Sequence, residues 1–176
     1  MCDCIPPVVS NPSLPSSAVW RCLPNLDATE ALGRALVPML LPGALVALEG
    51  PLGSGKTALV RAMLRSWGFN GRVKSPSYTL VEHYDFDGFV VCHFDFYRFN
   101  EVLEADQAGF REHFNDHTIC IVEWPDRAER WLPVADIKVQ WFPVDEGRVV
   151  CICSQKGLVI SEDLPGIPHQ EIQQGA

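Results

Sequence analysis

The 176-residue sequence lacks two kinds of segment and is poor in basic residues, and each observation excludes a class of protein. No apolar run reaches about 18 residues, so we predict no transmembrane helix. The first residues carry no basic stretch followed by an apolar one, so we expect no secretory signal and a cytoplasmic protein. Basic residues are scarce, with 14 Lys and Arg against 22 Asp and Glu. Because a protein that grips nucleic acid alone usually has a basic face, we expect any contact with RNA to run through a partner.

Cysteines are present, but their pattern does not suit a disulfide framework. The seven cysteines are odd in number and scattered in spacing. The two Cys-x-Cys pairs, at residues 2–4 and 151–153, lack the usual zinc spacing, and His113 with His117 lacks a third ligand. We therefore predict neither disulfides nor a metal site from these pairs, and we interpret the cysteines of predicted strands as small apolar residues.

Composition divides the chain into an arm, a domain and a tail. Residues 1–24 are rich in proline and serine without apolar periodicity, and we expect a flexible arm. Residues 25–157 alternate helical and strand-like patterns, which is typical of one α/β domain. Residues 158–176 contain proline, glutamine and glutamate, and we expect a mobile tail.

Apolar periodicity predicts the elements of this domain. We expect helices at about 27–39, 57–67, 101–115 and 125–131. We expect strands at about 44–49, 78–84, 89–96, 118–122, 137–142 and 148–153. The second and third strands flank Asp85–Gly88 and predict an antiparallel hairpin. The expected fold is α/β, with a mixed sheet of the P-loop NTPase type, a β-hairpin insertion and flanking helices.

The segment Gly50–Thr57, with sequence GPLGSGKT, fits the phosphate-loop pattern G-x-x-x-x-G-K-[ST] at every fixed position. Glycines let successive backbone N–H groups point at phosphate oxygens, and the following helix presents its positive end. We expect Lys56 to contact the β- and γ-phosphates and the Thr57 hydroxyl to bind Mg²⁺. The predicted nucleotide-binding residues are Gly50, Leu52, Gly53, Ser54, Gly55, Lys56, Thr57 and Ala58.

Two apolar strands of the predicted sheet lead into acidic residues, Asp95 and Glu123. A P-loop enzyme needs a carboxylate at a strand end, either to hold Mg²⁺ or to orient the attacking water. Both acids are therefore candidate metal-binding and catalytic residues. Their spacing does not say which of them contacts the metal.

Four segments together resemble the TsaE (YjeE-type) ATPase family over about residues 27–142. They are the phosphate loop, SPSYTL at residues 75–80, HFDFYR at residues 93–98 and EWP at residues 123–125, in the family's order and at similar spacing. The phosphate loop is shared with many enzymes, whereas the set of four segments is much more specific.

The resemblance implies an ATPase that uses ATP and Mg²⁺. It implies support for N6-threonylcarbamoyladenosine formation at position 37 of tRNAs reading A-starting codons, with TsaB and TsaD as partners and only indirect contact with tRNA. By position, it implies catalytic or metal-binding roles for Lys56, Asp95 and Glu123. It also implies that Trp124 is a catalytic aromatic residue beside the site and that Ser75–Thr79 is a switch-like segment near the γ-phosphate.

Some features leave alternatives open. Pro51, Ser54 and Ser77 depart from the residues common in the family, although none removes a phosphate or metal ligand. A small-molecule kinase is the alternative interpretation, because the chain length and the phosphate loop also suit one. No arginine-rich lid segment is evident in the sequence. Arg98 is equally suited to phosphate or a partner and to a surface acid.

Overall fold

One sheet organises the residues that the computed structural model describes, namely 18–99, 109–128, 131–144, 147–154, 156, 160, 164 and 167. Its strands are β1 (Val19–Cys22), β2 (Leu45–Glu49), β3 (Val81–Phe86), β4 (Phe89–Asp95), β5 (Thr118–Glu123), β6 (Ile137–Pro143) and β7 (Arg148–Ser154). Their spatial order is β1-β7-β6-β2-β5-β4-β3. The inner strands β6, β2, β5 and β4 are parallel, and the pairs β1–β7, β6–β7 and β3–β4 are antiparallel. The predicted mixed α/β sheet with a β-hairpin is confirmed.

Two α-helices and three short 3-10 helices accompany the sheet within the described ranges. The α-helices are α1 (Leu26–Leu36) and α2 (Lys56–Ser66), and the 3-10 helices are Val37–Met39, Phe110–His113 and Pro125–Ala128. Helix α1 begins where Asn25 Oδ1 accepts a hydrogen bond from the Ala28 amide at 3.0 Å. An Asn side chain at this position satisfies one of the free amides of the first turn.

Both faces of the central strands are covered, which explains their unbroken apolar sequences. On one face, α1 and α2 pack over Leu48 and Ile121, which are fully buried. On the other face, aromatic side chains from loops and 3-10 helices pack over Val122. We call these two layers the helical face and the aromatic face. The aromatic face is built largely from Phe94, Phe96, Phe99, Phe110 and Trp131.

The prediction of a flexible arm over residues 1–24 is wrong for its last residues. Strand β1 pairs with β7, and Leu23 continues that pairing through two backbone hydrogen bonds with Arg148. The side chain of Leu23 is completely buried. Cys22 is disulfide-bonded, so the prediction that the chain lacks disulfides is also wrong. Residues 1–17 lie outside the described residues.

The expected mobile tail differs from the structure at the positions that are described. Ile160, Leu164 and Ile167 are buried against the core of the helical face. Moving an apolar side chain out of water lowers the free energy, which favours this packing over a loose tail. The remaining predictions for residues 168–176 lie outside the described residues.

Two other expectations need correction in the hairpin and the segment after it. Asp85 and Phe86 pair with Val90 and Phe89, so the turn contains only Asp87 and Gly88. The expected helix at 101–115 lies outside the described residues up to position 108. Its described remainder forms the 3-10 helix at 110–113 and not an α-helix.

The burial of Leu23 yields a test of the corrected N-terminal boundary. We expect Leu23→Ala to lower the free energy of unfolding by about 2–4 kcal/mol, because it removes a fully buried side chain and leaves a cavity. The matched control is Leu26→Ala, since Leu26 is 53% exposed and should lose less than about 1 kcal/mol. Chemical denaturation of the full chain measures both values, and equal losses would contradict the role of Leu23 as a core residue.

Candidate nucleotide-binding site

The phosphate loop connects the end of β2 to the start of α2, as the sequence predicts. Gly50, Gly53 and Gly55 have φ angles of +150°, +76° and +108°, which side chains with a Cβ rarely adopt. At Gly50 space is also missing, because an added Cβ would lie 2.7 Å from the Cβ of Trp141. The loop backbone therefore depends on glycine for both its conformation and its packing.

Backbone carbonyls of the phosphate loop hold the Lys56 side chain inside the loop. Its Nζ donates hydrogen bonds to the carbonyl oxygens of Gly50 and Pro51 at 2.8 and 2.9 Å, and the side chain is 4% exposed. Burial lowers the pKa of Lys56 below its ordinary value, while the carboxylates of Glu123 and Asp95 oppose that shift. A phosphate oxygen is a stronger acceptor for an ammonium than a carbonyl oxygen. The lysine is thus placed to exchange loop carbonyls for an anion.

Glu123 is the centre of a buried hydrogen-bond chain. Its Oε1 accepts from the Thr57 hydroxyl at 2.8 Å and lies 2.9 Å from Nε2 of His93. Nδ1 of His93 has no hydrogen-bond partner among the described residues. A buried N–H without a partner is costly, so the ring proton belongs on Nε2, where it is donated to Glu123. The acid that His93 contacts is therefore Glu123.

Asp95 lies beside Glu123 because the two residues are register partners on β4 and β5. The Ser75 hydroxyl donates to Asp95 Oδ2, and the Tyr97 amide donates to Oδ1 at 2.9 Å. Ser75 belongs to the segment that precedes the hairpin, so this contact ties that segment to the site. Both acids are 3% exposed, and each has hydrogen-bond donors that offset the cost of burial.

Trp124 follows the β5 acid in a strained conformation. Its φ is +60°, which is uncommon for a residue other than glycine, Asn or Asp. Its backbone amide bonds to the Leu48 carbonyl at 3.2 Å, and its ring centroid lies 4.1 Å from Lys56 Nζ. The turn therefore brings an aromatic face over the loop lysine, where it attracts the cation.

One cavity of about 630 Å³ collects these groups. Gly50 is the one predicted site residue that does not line the cavity, and its carbonyl instead accepts from Lys56. The sequence did not predict Arg61 and Tyr97, which line the cavity, or His93, which contacts Glu123 from outside it. Arg98 also lines the cavity, with its guanidinium stacked 4.3 Å from the Tyr78 ring centroid. The predicted lining residues are Leu52, Gly53, Ser54, Gly55, Lys56, Thr57, Ala58, Asp95, Glu123 and Trp124.

The residues of this cavity fit a nucleotide with Mg²⁺. The loop presents glycines and the N-terminal end of α2, which suit phosphate. The paired oxygens of Thr57 and Glu123 are hard donors of the kind that Mg²⁺ prefers. Lys56 supplies a buried cation beside them, so charge and ligand chemistry agree.

Comparison with known proteins decides the family. The model of the family described as "Threonylcarbamoyl adenosine biosynthesis protein TsaE" matches residues 23–150. The chain belongs to the TsaE family. The resemblance seen in the four sequence segments is thereby confirmed, and it places the chain in a family of tRNA threonylcarbamoyladenosine biosynthesis.

Relatives in the TsaE family cover most of the domain. The chain is 43% identical over 114 residues to the tRNA threonylcarbamoyladenosine biosynthesis protein TsaE of Haemophilus influenzae, covering 65% of this chain and 72% of that protein. It is 30% identical over 120 residues to TsaE of Bacillus subtilis, covering 68% and 74%. The crystal structure of Bacillus subtilis YdiB is similar in fold, with a TM-score of 0.66, 24% identity and coverage of 78% and 85%.

From the sequence we predict no transmembrane helix. Across the described ranges, no helix is long and apolar enough to cross a membrane.

The crowding at Gly50 generates a test of the loop. We expect Gly50→Ala to lower the free energy of unfolding by about 2–4 kcal/mol, because it adds steric overlap to backbone strain. Gly68→Ala is the matched control, since Gly68 has a φ of +98° and no atom within 4 Å of an added Cβ. Denaturant titration gives both values. Similar losses would show that backbone conformation alone requires glycine at position 50.

Proposed function

We propose that the chain is a Mg²⁺-dependent ATPase of the cytoplasm that supports formation of N6-threonylcarbamoyladenosine at position 37 of tRNAs reading A-starting codons. The observation that carries this proposal is the meeting of Lys56, Thr57, Asp95 and Glu123 in one cavity. A cation, a hydroxyl and two carboxylates at the ends of parallel strands are what phosphoryl transfer from a nucleotide requires.

Lys56 binds the nucleotide phosphates in this proposal, and Thr57 and Glu123 position the Mg²⁺ ion that neutralises charge as the phosphate is transferred. The Lys56 ammonium leaves the Gly50 carbonyl and donates to the terminal phosphates instead. The Thr57 hydroxyl and the Glu123 carboxylate would hold Mg²⁺, because their oxygens already lie 2.8 Å apart. The bound ion supplies neutralisation of phosphate charge. His93 positions Glu123 by donating to it from a fully buried ring.

Asp95 is the better candidate for orienting the attacking water. Its carboxylate bonds to Ser75 and to the Tyr97 amide and not to the loop threonine. That places it one strand away from the Thr57–Glu123 pair, on the side of the switch-like segment. A phosphate-dependent movement of Ser75 would therefore change the contacts of Asp95, which couples the segment to hydrolysis.

TsaB and TsaD are the proposed partners, with tRNA reached only through them. The formal net charge of −8 supports indirect contact, because an acidic protein repels the phosphates of RNA. Membership of the TsaE family supports the pathway. A small-molecule kinase remains the alternative. It would transfer phosphate to a metabolite, whereas an ATPase releases inorganic phosphate.

Substitutions at Lys56 and Glu123 separate binding from hydrolysis. We expect Lys56→Ala to weaken ATP binding at least about tenfold, since the phosphates lose a buried cation. We expect Glu123→Gln to slow hydrolysis about 100-fold or more while ATP affinity changes about threefold or less. Single-turnover release of inorganic phosphate and calorimetric binding measure the two quantities.

Glu82→Gln is the control for these variants, because Glu82 is exposed on β3 outside the cavity. Native hydrolysis by Glu123→Gln would contradict the role given to that acid. Transfer of phosphate to a metabolite, with no free phosphate released, would instead favour the kinase.

Partner dependence is a separate prediction. We expect the full chain to co-elute with purified TsaB and TsaD in the presence of ATP and Mg²⁺, and ATP turnover to rise in their presence. Size-exclusion chromatography and phosphate release measure these outcomes, with Lys56→Ala as the nucleotide-binding control. Failure to associate under every nucleotide condition would overturn the partner assignment without affecting the hydrolysis test above.

A further inference from the structure

A second group of chemically reactive side chains lies on the opposite side of the sheet from the nucleotide cavity. His83, Cys92 and His113, here called the hairpin cluster, place one nitrogen or sulfur atom each within 4.8 Å of one another. Sequence reasoning paired His113 with His117 and found no third ligand. The structure instead pairs His113 with two residues that are 30 and 21 positions away.

Strand register and one 3-10 helix build this cluster. His83 and Cys92 are direct partners across the antiparallel pair β3–β4, so their side chains share a face. Cys92 belongs to the aromatic face, together with Phe94 and Cys120. His113 ends the 3-10 helix Phe110–His113, which packs on that face.

The distances within the cluster suit tetrahedral coordination. His83 Nε2 and His113 Nδ1 are 3.4 Å apart, and Cys92 Sγ is 3.8 Å from the same Nδ1. With Zn–N near 2.05 Å and Zn–S near 2.3 Å, the edges of a tetrahedron are about 3.4 Å for N–N and about 3.6 Å for S–N. The two separations that involve His113 are close to these edges, and the third, between Cys92 Sγ and a His83 ring nitrogen, is within 4.8 Å.

The chemistry of the three groups also suits a borderline-soft cation. Imidazole nitrogen and thiolate sulfur are the ligands that Zn²⁺ commonly takes in proteins. Burial raises the pKa of the Cys92 thiol to about 12, with a further rise from Asp85. Coordination would therefore have to displace the thiol proton, so that a metal–thiolate bond replaces the S–H bond and one proton is released.

We propose that His83, Cys92 and His113 bind Zn²⁺, with water as the fourth ligand on the exposed side of His83. The ion joins the hairpin to the segment that contains the 3-10 helix at 110–113. Because β4 also ends in Asp95, the ion would stabilise the strand that carries one acid of the nucleotide site. Cys92 and Asp95 belong to opposite faces of the sheet, so the two sites do not share ligands.

Cobalt binding tests this proposal, because Co²⁺ occupies zinc sites and reports its ligands by absorption. The full chain with its disulfide intact, stripped with a chelator and free of nucleotide, is titrated with Co²⁺ and then with Zn²⁺. We expect about one equivalent to produce tetrahedral ligand-field bands and a thiolate-to-cobalt charge-transfer band, both displaced by Zn²⁺. Proton release on binding provides a second readout.

His83→Ala is the decisive variant, because His83 is exposed and its loss does not open the core. We expect it to weaken Zn²⁺ affinity about 100-fold or more, and Cys92→Ala to abolish the charge-transfer band. His117→Ala is the matched control, since His117 is an exposed histidine outside the cluster, and it should bind as the native chain does. A native chain without the band, or a His83→Ala variant with native affinity, would overturn the proposal.

Discussion

The parallel pairing of β2, β5 and β4 is the constraint on which the rest of this structure depends. Glu123 is register partner to Leu48 on one side and to Asp95 on the other, and Gly50 begins the phosphate loop directly after β2. Parallel strands end at the same edge of a sheet, so one lysine, one hydroxyl and two carboxylates converge there without any long side chain reaching across. A shift of one residue in any of these pairings would send an acid to the opposite face.

Burial of so many polar groups has consequences for the site. Lys56, His93, Asp95 and Glu123 are all less than 5% exposed, which is costly unless each finds a partner. Their mutual bonds and the loop carbonyls supply those partners. In the proposed function, a nucleotide with its ion would offer stronger partners to the same groups, so that binding would rearrange this network.

The two faces of the sheet support different parts of the candidate site. On the helical face, α2 delivers the phosphate loop and packs with α1 over the apolar strands. On the aromatic face, loops and short helices hold the hairpin that ends in Asp95. The hairpin cluster lies on this second face and includes Cys92 of β4. The proposed zinc ion would therefore affect the position of β4 and would not contact a nucleotide.

The sequence by itself determined the phosphate loop, six of the seven described strands, helices α1 and α2, and the family. These features are local: glycine spacing, apolar runs and strand-end acids can be read without knowing what lies opposite them. The tertiary structure alone decided that His93 serves Glu123, that β1 joins the sheet beside β7, and that His113 meets His83 and Cys92. Each of these contacts joins residues far apart in the chain, and their partners are set by strand register and packing, for which a single sequence carries no periodic signal.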